Sequence, residues 1–436
     1  MIKSLTLLFL AAHCLVAQPG PESPGPARLP DRVILTWAAD PATSFSVTWR
    51  TSPAAARPII EWTEADHGPV AHDKVRRLPA ATQKLSAESG EALYHSGTVA
   101  GLSPETLYLY RVGDGAYWSE WHNLRTAAKT PKPLRFVLLG DAQTEVLSQW
   151  PRVLRMAYRY APDAAFLLHV GDLINNRSGS PDAEWGEWFR AGGWIYATIP
   201  SLPTAGNHEY PQRGTEPRVL TPFWRAQFTL PEHGPRGLEE STYFVDIQGV
   251  RIVSMNSNER FDEQAAWLDG VLSRNPQKWT VLLFHHPIHS SMKGKENPAL
   301  RASWQPILDK HKVDFVFTGD EHSYGRSGLV TGTNFRSGHT VYVVSVGGPK
   351  MYEVETRPWM RRSAEDTQFF QIIQVDGNHL RYESRTATGA LYDSFVIRKD
   401  GTRNRLTEGP GMADRRRPAD KKSGAGGTGN QKNEQE

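Results

Sequence analysis

The chain has 436 residues, enough for two or three domains, and its 39% apolar and 22% charged content suits domains with sizeable cores. A formal net charge of only +3 argues against a protein that coats nucleic acid. A single cysteine excludes an intramolecular disulfide and a thiolate-rich metal site, so any metal must be held by imidazole and carboxylate, from 15 His and 47 Asp+Glu.

Residues 1–17, MIKSLTLLFLAAHCLVA, place Lys3 before an apolar run too short to span a membrane. They are expected to be a signal peptide that directs the protein out of the cell or to the periplasm. The lone Cys14 lies inside this segment, so the mature chain is expected to be free of cysteine. A lipid anchor on Cys14 is the weaker alternative, because His13 is a poor residue before such a site. No later stretch approaches a membrane-spanning run, and Pro/Gly-rich residues 18–30 are expected to be a linker.

Residues 31–127 are a series of short β-type runs, among them RVILTW, SFSVTWRT and TLYLYRVG, separated by Asp-Pro, Ser-Pro and Gly-Asp-Gly turns. Strands at this spacing predict a β-sandwich with Trp37, Trp49 and Trp62 in its core. From 128 to 400 apolar strands alternate with helical segments. Strands are predicted at 134–139, 165–170, 251–255, 280–284, 315–317 and 340–346, and helices at 145–160, 263–274 and 298–311. Trp267, Leu268, Val271 and Leu272 recur at helical spacing and are expected to face a sheet. This is an α/β layered domain, with β-sheets flanked by helices. Residues 401–436 are expected to be a disordered polar and basic tail. From 399 onward, nine Lys+Arg stand against six Asp+Glu.

The chemistry-bearing residues follow the apolar runs. FVLLGDAQ ends in Asp141 and FLLHVGDLINN in Asp172. LPTAGNHEY supplies Asn207, His208 and Glu209, VLLFHHPIH supplies His285, His286 and His289, and VDFVFTGDEHSYG supplies Asp320 and His322. Ligands of α/β sheets bind beyond the carboxyl ends of the strands. The Gly before each Asp is expected to let the chain turn sharply and point the carboxylate inward. Five strand ends that each deliver a hard oxygen or nitrogen donor suit a pair of metal ions, which can clamp a phosphoryl group and acidify a bound water.

The ordered set GD, GD, GNHE, H and GxxH resembles the calcineurin-like metallophosphoesterases. With a sandwich in front, the chain resembles their purple acid phosphatase branch, a likeness extended by GNHEY, WRAQFTLPE, YVVSVGGPKMY and GDEHSYGR. The resemblance implies a fibronectin-III-like N-terminal domain followed by a metallophosphoesterase domain. It also implies a dinuclear centre of Fe, Mn, Zn or Mg. Asp141, Asp172 and His322 would hold the first ion, with Asp172 bridging to a second held by Asn207, His285 and Asp320. His208 would serve as the catalytic residue beside the phosphate, and Glu209 would support the ligands from behind.

Three positions depart from that family. Asn175 stands where its iron-bound tyrosine would be, so no tyrosinate colour is expected. Asp320 replaces the first His of GHxH, and either ligates as a harder, more anionic donor or turns away. Where plant members carry a His pair the chain reads MKGKEN, so Lys293 or Lys295 either meets phosphate charge or lies in a solvated loop. His286 and His289 lie near enough in sequence to line the cleft. The expected activity is that of an exported acid-phosphatase-like enzyme, hydrolysing phosphomonoesters with hydroxide generated at the dinuclear centre. The alternatives are phosphodiester or nucleotide hydrolysis on the same centre, or a binding protein whose phosphatase domain has lost activity. The expected partner is a phosphate ester, with no nucleic-acid surface and no transmembrane anchor.

Overall fold

The computed structural model describes residues 25–417, apart from 56, 178, 212–216 and 402. The expected signal peptide with Cys14, the linker up to 24 and the tail from 418 lie outside the described residues.

The N-terminal domain contains β1 (Asp31–Thr36), β2 (Ser44–Thr51), β3 (Ile59–Glu64), β4 (Arg76–Pro79), β5 (Ala81–Ala87), β6 (Gly90–Ala100), β7 (Leu107–Gly113) and β8 (His122–Arg125). They form two antiparallel sheets, β1-β2-β6-β5 and β4-β3-β7-β8. That is the strand order of immunoglobulin-type and fibronectin-type sandwiches. Alternate residues point inward, so Phe45, Val47, Trp49, Ile60, Tyr110 and Val112 meet between the sheets. Of the three tryptophans expected in this core only Trp49 lies there. Trp62 is half-buried against it, and Trp37 packs edge-on against Phe166 of the second domain.

The second domain contributes β9 (Leu134–Leu139), α1 (Val146–Tyr160), β10 (Leu167–His169), α2 (Pro181–Gly192), α3 (Trp194–Thr198), β11 (Ser201–Pro203), α4 (Pro222–Gln227), β12 (Tyr243–Ile247), β13 (Val250–Ser254), α5 (Phe261–Ser273), β14 (Trp279–Leu283), α6 (Pro298–Lys310), β15 (Phe315–Thr318), β16 (Tyr324–Ser327), β17 (Val341–Val344), β18 (Met360–Ala364), β19 (Phe369–Asp376), β20 (His379–Thr386), β21 (Leu391–Asp400) and β22 (Arg403–Glu408). Two seven-stranded sheets result, β11-β10-β9-β19-β20-β21-β22 and β12-β13-β14-β15-β17-β16-β18.

The central strands β14, β15 and β17 of the second sheet are apolar on both faces because both faces are covered. In β14, Val281 and Leu283 join the large core shared with the first sheet, while Leu282 joins Leu268 and Leu272 of α5 and Trp304 of α6. Trp267, expected beside them, is only half-buried and donates its indole N–H to the His233 carbonyl. Phe315 stacks on Phe395 and Phe317 on Tyr382, which joins the two sheets face to face. The layers run helix, sheet, sheet, helix.

One expectation fails at the C-terminal end. The tail expected from 401 instead forms β22, which pairs with β21 from Phe395↔Glu408 to Asp400↔Arg403. Farther on, Arg417 pairs with Asp366. An edge strand needs only backbone partners, so a polar sequence can add one without burying apolar side chains. Glu408 also pairs with the buried Arg326, at 2.7 Å.

The two domains are joined by buried charges. Arg32 of β1 and Arg50 of β2 both reach Asp182 in the first turn of α2, at 2.6 and 3.0 Å. Glu88, in the β5–β6 turn, accepts from the backbone N–H groups of Asp182 and Ala183 at 2.7 and 3.1 Å. The sandwich thereby satisfies the free N–H groups at the start of a second-domain helix and places a carboxylate at its positive end.

Candidate metal centre

Strands β9, β10 and β11 run parallel, as do β13, β14, β15 and β17 of the other sheet. Their carboxyl ends meet, and the Gly347 N–H donates to the Gly140 carbonyl at 2.8 Å between them. Asp141 follows β9, Asp172 follows β10, Asn207 and His208 follow β11, His285 and His286 follow β14, and Asp320 and His322 follow β15. Two donor groups form at this junction, each with ligand atoms within 4.8 Å of one another. One is Asp141, Asp172 and His322. The other is His285, His286 and Asp320.

The backbone is strained at the candidate donors themselves. Asp141, Asp172, Asp320 and His322 all adopt left-handed conformations, with φ of 50, 51, 68 and 43°. Such a conformation costs a non-glycine residue on the order of 1 kcal/mol and tends to gather at functional sites. This corrects the expected role of the glycines before the aspartates, because only Gly171 has a positive φ. Gly140 and Gly319 make room instead: a Cβ would stand 2.4 Å from Val170 Cγ2 at the first and 2.3 Å from Asp141 Oδ2 at the second, and Gly206, before Asn207, is as tight, at 2.1 Å from Asp172 Oδ1.

Three imidazoles are oriented alike. His208, His285 and His322 each place Nδ1 against a backbone carbonyl, those of Asn175, Val170 and Lys350. A carbonyl only accepts, so each Nδ1 carries the proton and each Nε2 turns toward the carboxylates. His285 Nε2 lies 3.0 Å from Asn207 Oδ1, 3.2 Å from Asp172 Oδ2 and 3.8 Å from Asp320 Oδ1. His208 Nε2 lies 3.7 Å from Asp172 Oδ2, and His322 Nε2 lies 3.9 Å from Asp141 Oδ1.

The electrostatics call for cations. Burial pushes the Asp141 carboxyl well above its usual range, and its Oδ2 has no hydrogen-bond partner. Burial opposes a charge on His285 too, but Asp172, Asp141 and Asp320 around it outweigh that and push its pKa up to about 10. Without metal, a proton on His285 therefore answers the negative charge. Buried carboxylates crowded together, one oxygen unpartnered, and three aligned imidazole nitrogens fit the hard N/O donor set of a dinuclear centre.

Glu209 does not face the centre. Its carboxylate accepts from the N–H groups of Asp172, Leu173 and Gly206 at 3.0, 2.9 and 2.7 Å, tying two ligand loops together. Burial and the nearby Asp172 raise its pKa to about 7. Asn175 acts through its backbone carbonyl, which holds the His208 ring. His286 is half-buried beside Asp320, with Nδ1 2.9 Å from Ser257 Oγ. His289, expected near the cleft, is instead buried edge-on against Tyr342, because the chain after Pro287 turns into the core. Lys293 points to solvent near Glu353, whereas Lys295 turns inward to Asp320 at 2.5 Å.

Sequence reasoning missed several contributors. Gln143 Nε2 donates to Asp172 Oδ2 at 2.7 Å and lies 3.0 Å from His322 Nε2. It stands two residues after Asp141, within a quoted motif, but nothing about its type marks it. Arg177 and Lys350 place positive charge near His208, whose pKa burial already lowers, and Arg218 lies within reach of Asp172's charge. A cavity of about 500 Å³ opens beside the centre, lined by Asn175, Asn176, Arg177, Asn207, His208 and Tyr210.

Among known families, the model described as the purple acid phosphatase N-terminal domain matches residues 30–126, and that of the calcineurin-like phosphoesterases matches 134–324. Purple acid phosphatase 1 of Ipomoea batatas is 26% identical over 318 residues, covering 69% of this chain and 65% of that protein. The chain thus spans somewhat less than two thirds of that relative. A solved purple acid phosphatase from yellow lupin (Lupinus luteus) seeds superposes with a TM-score of 0.73 at 20% identity, over 86% of this chain and 75% of that one. The structure of PhoD superposes with a TM-score of 0.64 at 15% identity, over 93% and 97%. These two structures share the fold.

Proposed function

We propose, from the premise that the chain belongs to the purple acid phosphatase-like branch of the calcineurin-like metallophosphoesterases, that it is an exported hydrolase of phosphomonoesters. The observation that carries the reading is the convergence of three Nε2 atoms, each fixed by a backbone carbonyl, on buried carboxylates. Asp141, Asp172 and His322 would hold one ion. Asp172, Asn207, His285 and Asp320 would hold the other, with His286 in reach. Bound ions supply Lewis-acid polarisation of the phosphoryl group and acidify water.

The protein's own residues do the rest. His208, with Nδ1 committed to Asn175, presents Nε2 beside the cavity, where it carries a proton to the leaving oxygen. Burial lowers its pKa, so acidic solution favours the protonated form that can donate. Glu209 holds the backbone of both ligand loops in register. Arg177, Arg218 and Lys350 set positive charge around the cavity, which suits the dianion of a monoester better than the single charge of a diester. Export rests on residues 1–17 alone, and N-terminal sequencing of protein recovered outside the cytoplasm tests it.

The deciding assay compares p-nitrophenyl phosphate with its bis ester, supplying Mn, Fe, Zn and Mg in turn. A higher kcat/KM on the monoester supports the reading. A preference for the bis ester would move the assignment to diester hydrolysis. No turnover of either ester with any metal would sink the enzyme reading in favour of a binding protein.

A further inference from the structure

The second donor group contains a cation supplied by the protein. Asp320 contributes one carboxylate oxygen on each side. Oδ1 faces His285 Nε2 at 3.8 Å, while Oδ2 holds the Lys295 ammonium at 2.5 Å. The contact is not a chance surface pairing, for the Asp320 side chain is 8% exposed and that of Lys295 33%. The segment carrying Lys295 is also fastened in place. Lys293 N–H donates to the Glu353 carbonyl at 3.2 Å, Gly294 N–H to Glu355 Oε2 at 3.2 Å, and Arg357 Nη2 to the Lys295 carbonyl at 3.4 Å. Three anchors on residues 353–357 therefore aim the ammonium at the donor group.

We propose that Lys295 is a built-in competitor for the second metal ion. It occupies the Asp320 oxygen that this ion would otherwise claim, so the second group holds its ion weakly and exchangeably. The first group lacks such a partner among the described residues. Among the described residues no lysine or arginine pairs with Asp141 or Asp172, whose charged neighbours within 4.0 Å are the histidines His208, His285 and His322, and one Asp141 oxygen is free of hydrogen bonds. Two cations within a few ångströms of one carboxylate repel each other and divide its charge, and burial weakens the screening between them. The pair therefore makes the centre asymmetric: one ion is held firmly and one is exchanged with the medium. The inference rests on the metal-centre reading above.

The test is a titration of chelator-stripped full-length protein with Mn²⁺, counting free ion by electron paramagnetic resonance. The wild type is expected to bind one ion tightly and a second weakly. Lys295→Met is expected to tighten the second site by about tenfold or more and to leave the first unchanged. Lys295→Arg keeps the cation, and is expected to keep the second site weak. The melting temperature of each stripped protein checks that it is folded. An unchanged or weakened second site in folded Lys295→Met overturns the proposal, because Lys295 would then be positioning Asp320 rather than competing for it, and the phosphoesterase reading stands. Equal tightening in Lys295→Arg also overturns it. Failure of wild type and variants alike to bind any Mn²⁺ sinks the metal-centre reading, and the inference with it.

Discussion

Replacing Asp182 with Ala tests how the sandwich is locked to the second domain. The Asp182 side chain is 1% exposed and those of Arg32 and Arg50 are 3% and 1% exposed, so all three charges lie out of water. Removal leaves the two arginines unequally placed. Arg50 keeps Asp31 at 2.9 and 2.7 Å, whereas Arg32 loses its one carboxylate among the described residues and retains only neutral partners. Breaking a buried pair by deleting one partner typically costs about 3–5 kcal/mol, because the other charge stays desolvated. For domains of this size the loss corresponds to a fall in melting temperature on the order of 10 °C. Activity is expected to fall as well, because Glu184, two residues further along α2, accepts the N–H of Asn176, whose side chain in turn donates to the His208 carbonyl. Differential scanning calorimetry reads the stability, and initial rates on the monoester read the activity. A shift below about 2 °C would refute the reasoning, since it would mean that Arg32 is rehydrated in the folded protein without penalty.

Four further outcomes are expected. His208→Ala should lower kcat on the monoester by about 10²–10⁴-fold while elemental analysis shows unchanged metal content, the pattern that the proposed proton-carrying role of His208 requires and a ligand role would not give. Stripping metal with a chelator should lower the melting temperature, by about 2.7 kcal/mol of stability if the ions stand at 100 times their dissociation constant. Reducing agent should leave it unchanged, because one cysteine forms no internal disulfide. Acid should weaken the sandwich through His95, buried between Thr51 and Thr82, whose pKa burial lowers from 6.5 to about 4. The unfolded chain binds that proton more readily, so the stabilisation is complete above about pH 6.5 and fades as pH falls through about 4, by at most about 3 kcal/mol. Urea titrations of the wild type and of His95→Gln between these pH values should show a flatter dependence in the variant.

The gathering of the candidate donor residues at one end of the sheets was legible in the sequence because each follows an apolar strand, a local pattern that needs no knowledge of the partners. The same locality explains the sandwich, and the miss at β22, which is almost wholly polar and carries no apolar alternation to mark it. His289 illustrates the limit. Three positions after His286, it lies in the core, because spacing alone does not say which way a turn after Pro287 leads.

The single cysteine and the supply of His and Asp in sequence already dictated that any metal here is held by nitrogen and oxygen, and composition needs no folding to be read. Tertiary structure alone decided what surrounds those donors. It brings Lys295 onto Asp320 across 25 residues, Gln143 onto His322 across 179, and Arg32 onto Asp182 across 150. It also forces the four candidate donors Asp141, Asp172, Asp320 and His322 into left-handed backbone. Such contacts join sites whose separation in sequence carries no period, and the energy that holds strained ligands in place comes from the packed sheets around them.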